Sequence, residues 1–378
     1  MKYSTDVLRR VTLTVLALLL VIGLASAQDT ELVPRYTVMP PAPGSNVAAL
    51  KLLGPPAALQ TWTGSFTYNG GNYSFTMMGT DPSKGSATTT VNFIIVPLAL
   101  KFSDGTLLDP NANTQCGGTS SALKLTTGSP IFQNVNWTQG GTNVGTTQYE
   151  DAFQRAEFWG NVSTTSPNYH VLLHATVAPL KITVNVPAAD GSTATGSCGK
   201  YGMADINWYD NELQNLMEQY RSKITPDMFI YFLTYDVFET EGGCCVLGYH
   251  GISVTNNVYG TGAFTDQNIF GPPNENFDDI VTISHEVGEA INDPYIDNVV
   301  PNWISSYAPQ YGCNNSLEVG DPLAGLPEGP IMVKGNSHAY YVQDLAFLPW
   351  FEKASKSSSV NGWYSMYGTF KTGSSNCN

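Results

Sequence analysis

Residues 282–294 read TISHEVGEAINDP, which gathers His285, Glu286 and Glu289 into five positions of a chain with only five histidines. An imidazole and a carboxylate one helical turn apart can share a cation, while the glutamate following the histidine is offset enough to stay free as a base. A zinc peptidase helix would carry a second histidine where Glu289 stands. Zinc also accepts carboxylate oxygen, so Glu289 is an admissible ligand, although it makes the site harder and less selective for zinc. Three readings are open: a working metal site, a relic of one, or an ordinary acidic helix.

A catalytic zinc takes three protein ligands and a water. The run NNSLEVGDPL offers Glu318 and Asp321, 29 and 32 residues after Glu289. Glu318 is the preferred third ligand, with Asp321 orienting the histidine from outside the coordination sphere, as in glutamate-type zinc peptidases. His250 in LGYHG is its rival, because imidazole is the commonest metal ligand. Asp293 is expected to cap the turn into Pro294. His170 and His174 share a strand face and are expected to pack, and His338 to sit exposed in a turn. Tyr249 and Tyr311 can donate to an oxyanion, but among 20 tyrosines a structural role is the default.

Charge sharpens the reading. No Lys or Arg occurs in the 110 residues between Lys223 and Lys334, while 15 acids do. Acids that converge without bases must be exposed, protonated or holding cations. Zinc is the expected cofactor, with calcium as the alternative.

The elements that would position these groups follow from pattern. On a helical wheel of about 100° per residue, Ile280, Ile283, Val287, Ala290 and Ile291 gather on one face of residues 278–293. His285, Glu289, Thr282 and Asp278 lie nearly opposite, with Glu286 beside them. Asp278 and Asp279 suit the helix N-terminus, and Pro294 ends it. Residues 28–58 read as a Pro/Ala-rich lead-in, and 59–200 as a β-rich region. The latter holds a hairpin around Asn69–Asn72, a strand interrupted or edged at Pro97, and a short helix at 149–160. Residues 201–378 bring an amphipathic helix (208–222), two strands (227–237 and 244–254), the His-Glu helix, and a late helix broken near Pro349. The expectation is an α+β chain whose β-rich N-terminal half precedes an α/β catalytic half.

Residues 1–27 have the basic start, apolar run and small-residue end of a signal peptide, so the mature chain is expected to be exported. Its balance of 14 bases against 30 acids gives a net charge of 14 − 30 = −16, which disfavours nucleic acid and anionic membrane as partners. Six cysteines in an oxidising compartment imply disulfides of open connectivity.

The segments FLTYDVFETEGGCCVLGYHG, GPPNENFDDIVTISHEVGEAINDPY and LEVGDPL, with TTQYEDAFQRAEFW and DINWYDNEL, resemble secreted microbial relatives of the phosphate-induced, EXORDIUM-like proteins. The resemblance spans roughly residues 60–350. It implies a zincin-like catalytic half in which His285, Glu289 and Glu318 bind the metal and Glu286 is the base. It departs from the family where Pro322-Leu323 follow the Glu-x-Gly-Asp, for a cysteine is expected shortly after. Cys313, just upstream, is the substitute. Plant members act in the cell wall, where the His-Glu pair is not reliably kept. The expected function is a secreted metal-dependent hydrolase, an endopeptidase acting on protein or peptide or on cell-wall material. The alternative is a non-enzymatic, glycan- or wall-binding protein with a structural or relic ion site.

Overall fold

The computed structural model describes residues 34–270, 277–326, 331–332 and 338–377. The expected signal segment, 1–27, lies outside the described residues. Both strands and helices are present, in keeping with the α+β expectation, and they build around one mixed sheet of 11 strands. In chain order these are β1 (Arg35–Met39), β2 (Thr88–Phe102), β3 (Leu107–Leu108), β4 (His170–Val177), β5 (Ile182–Val186), β6 (Gly191–Thr195), β7 (Lys200–Asp205), β8 (Met228–Tyr235), β9 (Val237–Thr240), β10 (Val246–Ile252) and β11 (Val258–Phe264). They lie in the order β6-β7-β9-β10-β11-β8-β2-β3, with β1 added on β10 and both β4 and β5 on β2.

Strands from either side of residue 200 are therefore neighbours. Strand β8 runs parallel to β2 from Met228↔Asn92 to Leu233↔Pro97 and parallel to β11 on its other edge. Its residues are buried on both faces, as parallel strands between covering layers must be. Phe229, Tyr231 and Leu233 join the core beneath α3 (Val281–Asn292), while Ile230 and Phe232 join that beneath α2 (Ile206–Gln219). Helix α2 shows its pattern plainly: Ile206, Tyr209, Leu213 and Met217 are buried at helical spacing.

Several local expectations need revision. Strand β2 is not broken at Pro97: it runs through as 15 residues. Its ladder to β4 ends at Ile95 and that to β5 begins at Leu98, so the missing N–H of Pro97 falls at the gap between two neighbours. The late helix shrinks to Leu348–Phe351, which Pro349 helps to start rather than break. Part of the Pro/Ala-rich lead-in is strand β1, paired parallel to β10. The hairpin is as expected, with Thr61–Tyr68 and Gly71–Met78 joined through Asn69 and Gly70 at positive φ. The cysteines pair as Cys116–Cys198, Cys244–Cys245 and Cys313–Cys377. Among the described residues no helix is long and apolar enough to cross a membrane.

Helix α1 (Tyr149–Glu157) packs on β4 and on α3 and is buried at every residue. Glu157 accepts the Leu348 N–H at 2.6 Å, and burial pushes its carboxyl up to about 8 from 4.5. Between those values only the folded chain keeps the proton, so this group's stabilisation is complete below about pH 4.5 and is lost as pH rises through 8. Glu157→Gln should flatten the fall of the thermal midpoint with pH across that window. An unchanged slope in the variant would contradict the assignment.

Candidate metal centre

Helix α3 packs against β10 and β11, and two glycines set how closely. A Cβ on Gly248 would fall 2.9 Å from both Glu286 Cγ and Thr282 Cγ2, and one on Gly262 would fall 2.5 Å from Thr282 Cγ2. The helix thus presses His285, Glu286 and Glu289 against the sheet. All 12 of its residues are buried. The polar side of the wheel is not a solvent face but a second packing surface, covered by β1 and by the segments around 317–323 and 342–347. Asp278 and Asp279 precede the first turn instead of occupying it: Asp278 accepts the Asn268 N–H at 2.7 Å and Asp279 pairs with His338 at 2.6 Å.

His285 is held on every side. Its Nδ1–H donates to Gln343 Oε1 at 2.8 Å, and Gln343 is itself fixed by donating Nε2–H to the Gly320 carbonyl at 2.7 Å. The Tyr36 ring stacks on the imidazole with centroids 3.5 Å apart. Gly320 lies against the same ring, where an added Cβ would fall 2.6 Å from Cε1 and 2.7 Å from Cγ. The His285 Nε2 faces Glu289 Oε1 at 2.9 Å and Asp321 Oδ1 at 3.6 Å. Neither Nε2 nor Asp321 Oδ1 has a hydrogen-bond partner of good geometry among the described residues, despite burial. Close polar atoms out of line for hydrogen bonding are what ligands of one ion look like. Zinc bonds of about 2.0–2.2 Å place tetrahedral ligands roughly 3.3–3.6 Å apart. Glu289 Oε1 also receives the N–H groups of Gly320 and Asp321 at 3.1 and 3.2 Å, which fixes its orientation.

The expected residues are thus brought together, in two groups that share Glu289. His285, Glu289 and Asp321 offer one ligand atom each within 4.8 Å of one another. Glu318 falls instead in a group with His250 and Glu289 under the same criterion. The role of orienting His285 through Nδ1, expected of Asp321, is filled by Gln343. Nothing in the sequence marked Gln343 or Tyr36. Asp293 does cap the turn, accepting N–H groups from Asp297 and Asn298 at 3.1 Å each. Tyr311 accepts the Tyr36 N–H at 2.7 Å, a tether for β1. Of the remaining histidines, His170 pairs with Asp151 at 2.8 Å and His174 is exposed, so neither simply packs. His338 is partly buried against Asp279 rather than free in a turn.

Burial dominates the electrostatics. It pushes Glu286 and Glu318 well above the usual carboxylate range, reinforced by the charge of Glu289, and raises Asp321 to about 7. It pulls His250 down to about 4. Burial alone would lower His285 too, but Glu289, Asp321 and Glu286 outweigh it and hold the imidazole well above its ordinary value. Without an ion, protons sit where a cation fits, so ion binding must displace them and strengthen with pH. The donor set fits a divalent transition ion: one imidazole held through Nδ1 with two carboxylates, buried and, among the described residues, without a Lys or Arg partner.

Comparison with protein-family models, with curated proteins and with solved structures returns no match to this chain.

Proposed function

We propose that the chain is a secreted metal-dependent hydrolase of the zincin-like kind, an endopeptidase acting on protein or peptide. His285, Glu289 and Asp321 hold the ion and Glu286 serves as the base. The observation that carries this is the buried His285 Nε2, out of line for hydrogen bonding, facing two carboxylates while Gln343 fixes its other nitrogen. The resemblance of the His-Glu-x-x-Glu and Glu-x-Gly-Asp segments to microbial EXORDIUM-like proteins supports the same reading, and three disulfides are compatible with export.

A divalent ion at this site would supply Lewis acidity, polarising a scissile carbonyl and acidifying water. The protein's own part begins with Glu286, whose Oε1 is buried without a hydrogen-bond partner among the described residues. As a carboxylate it takes a proton from water as the water oxygen adds to the carbonyl carbon. It returns that proton to the leaving nitrogen as the C–N bond breaks. Gln343 keeps the His285 ring from turning, and the Gly320 and Asp321 amides hold Glu289.

The site is closed: His285 and Glu286 are 0% exposed, Glu289 1%, Glu318 3% and Asp321 4%. Strand β1 contributes to that closure through Tyr36, so substrate enters when β1 leaves β10. The test is hydrolysis of an unfolded protein by the zinc-loaded chain, intact and as Tyr36→Gly. Freed of the stacked ring, the variant should turn over about tenfold faster or more, in proportion to the larger open fraction, and a chelator should abolish the activity. The same closure favours a second reading, a structural ion in a non-enzymatic binding protein. Zinc retained in Tyr36→Gly without any hydrolysis would select it.

A further inference from the structure

We infer that residues 34–53 are a cleavable latch over the metal centre, released when an endopeptidase cuts the exposed stretch 51–57. The inference rests on reading His285, Glu289 and Asp321 as that centre. It begins from β1, which lays Tyr36 on the His285 ring and sets Val38 opposite His250 in the parallel ladder to β10. Both imidazoles are 0% exposed beneath it.

Few contacts hold this segment. Of residues 34–57 only Tyr36, Ala42 and Leu50 are buried, whereas every residue of β10 is. The N–H groups of Arg35 and Ala42 donate to the Cys245 and Ile252 carbonyls at 3.0 and 2.8 Å, and that of Tyr36 to the Tyr311 hydroxyl at 2.7 Å. The ion pairs Arg35–Glu241 and Lys51–Asp297 are partly exposed, so water screens them. The first cysteine is Cys116, so no disulfide ties the segment to the rest.

The independent observation is how the chain leaves the latch. Lys51, Leu52, Leu53, Gly54, Pro55, Pro56 and Ala57 are all exposed, Leu52 at 87% and Leu53 at 48%. Exposed backbone of this kind is where nicking concentrates, and Leu52–Leu53 offers an accessible apolar bond. Fixed points bracket it. The helical turn Val47–Leu50 ends on buried Leu50, and beyond the stretch Ala58 and Leu59 enter the core, where the Leu59 N–H donates to the Pro226 carbonyl at 3.2 Å. A cut between them separates latch from core without interrupting a core strand. Water adds across the Leu52–Leu53 amide: the Leu52 carbonyl carbon takes the hydroxyl, and the Leu53 nitrogen takes the remaining hydrogen as the C–N bond breaks.

Covalent attachment keeps the latch in place. Joined, it meets its groove at an effective concentration of about 1 mM, so cutting and diluting to about 1 µM lowers its occupancy ratio about 10³-fold. Cleavage thereby makes permanent an opening that the joined chain reaches only transiently.

The experiment inserts the recognition sequence of a site-specific protease between Leu53 and Gly54. Reaction of His285 with diethyl pyrocarbonate is then followed in the ion-depleted chain. At about 1 µM, cutting should release the latch on gel filtration and speed modification of His285 about tenfold or more. Subtilisin at a limiting ratio should also cut the unaltered chain within 51–57. A latch that stays bound, or a His285 still shielded after the cut, would overturn the inference. Unfolding of the cut chain on dilution would do the same by making the segment part of the core, as would a chain that subtilisin digests elsewhere while sparing 51–57. The zinc-loaded cut chain is finally assayed on an unfolded protein. His285 freed without any hydrolysis would leave the latch standing and remove the hydrolase reading.

Discussion

Glu286→Gln lowers hydrolysis by about 10²–10⁴-fold, the range for loss of a positioned general base, and leaves the ion content unchanged. The substitution is nearly isosteric, and Glu286 is not in the group formed by His285, Glu289 and Asp321. What it removes is basicity at Oε1, which has no hydrogen-bond partner among the described residues. Turnover should be compared in the Tyr36→Gly background, where the site is open, with zinc counted in the same preparations. A Glu286→Gln protein with full activity would sink the proton-transfer role. Loss of zinc with loss of activity would instead move Glu286 among the ligands.

Gly320→Ala is expected to cost about 1–3 kcal/mol in overpacking and to weaken ion binding about 10–100-fold, as loss of a ligand's supporting contact does. The steric reason is specific. The added methyl would meet the His285 ring at Cε1 and Cγ at 2.6 and 2.7 Å. The ring cannot retreat, because Tyr36 stacks on it and Gln343 holds Nδ1. Gly320 also donates its N–H to Glu289, so any backbone shift that relieves the clash disturbs a ligand. Thermal unfolding and zinc titration of the variant check both effects. Unchanged affinity would mean that the imidazole is not held as described.

Local chemistry was readable and long-range partnership was not. The His285–Glu289 spacing, the helix around it and the hairpin at Asn69–Gly70 depend on neighbours within a turn or two, and each stands in the structure. The grouping of Asp321 with His285, and of Glu318 with His250, does not depend on such neighbours. Two acids three residues apart on an irregular segment, 29 and 32 positions from Glu289, are ordered only by how that segment approaches the helix. The wheel identified a polar face but could not tell that β1 would cover it. A Pro/Ala-rich stretch carries no alternation to mark it as a strand, and Tyr36 gains its meaning from the pairing of β1 with β10. Gln343 is likewise invisible before folding, 58 residues from the imidazole it orients.

The most direct measurement is the divalent-ion content of the mature chain, purified without chelator and reloaded with zinc, beside Glu289→Ala. Glu289 stands in both candidate groups, so its loss should empty the centre. The wild type should hold near-stoichiometric or greater zinc and the variant none, with both proteins folded. Equal zinc in the two proteins, or none in the reloaded wild type, would contradict it.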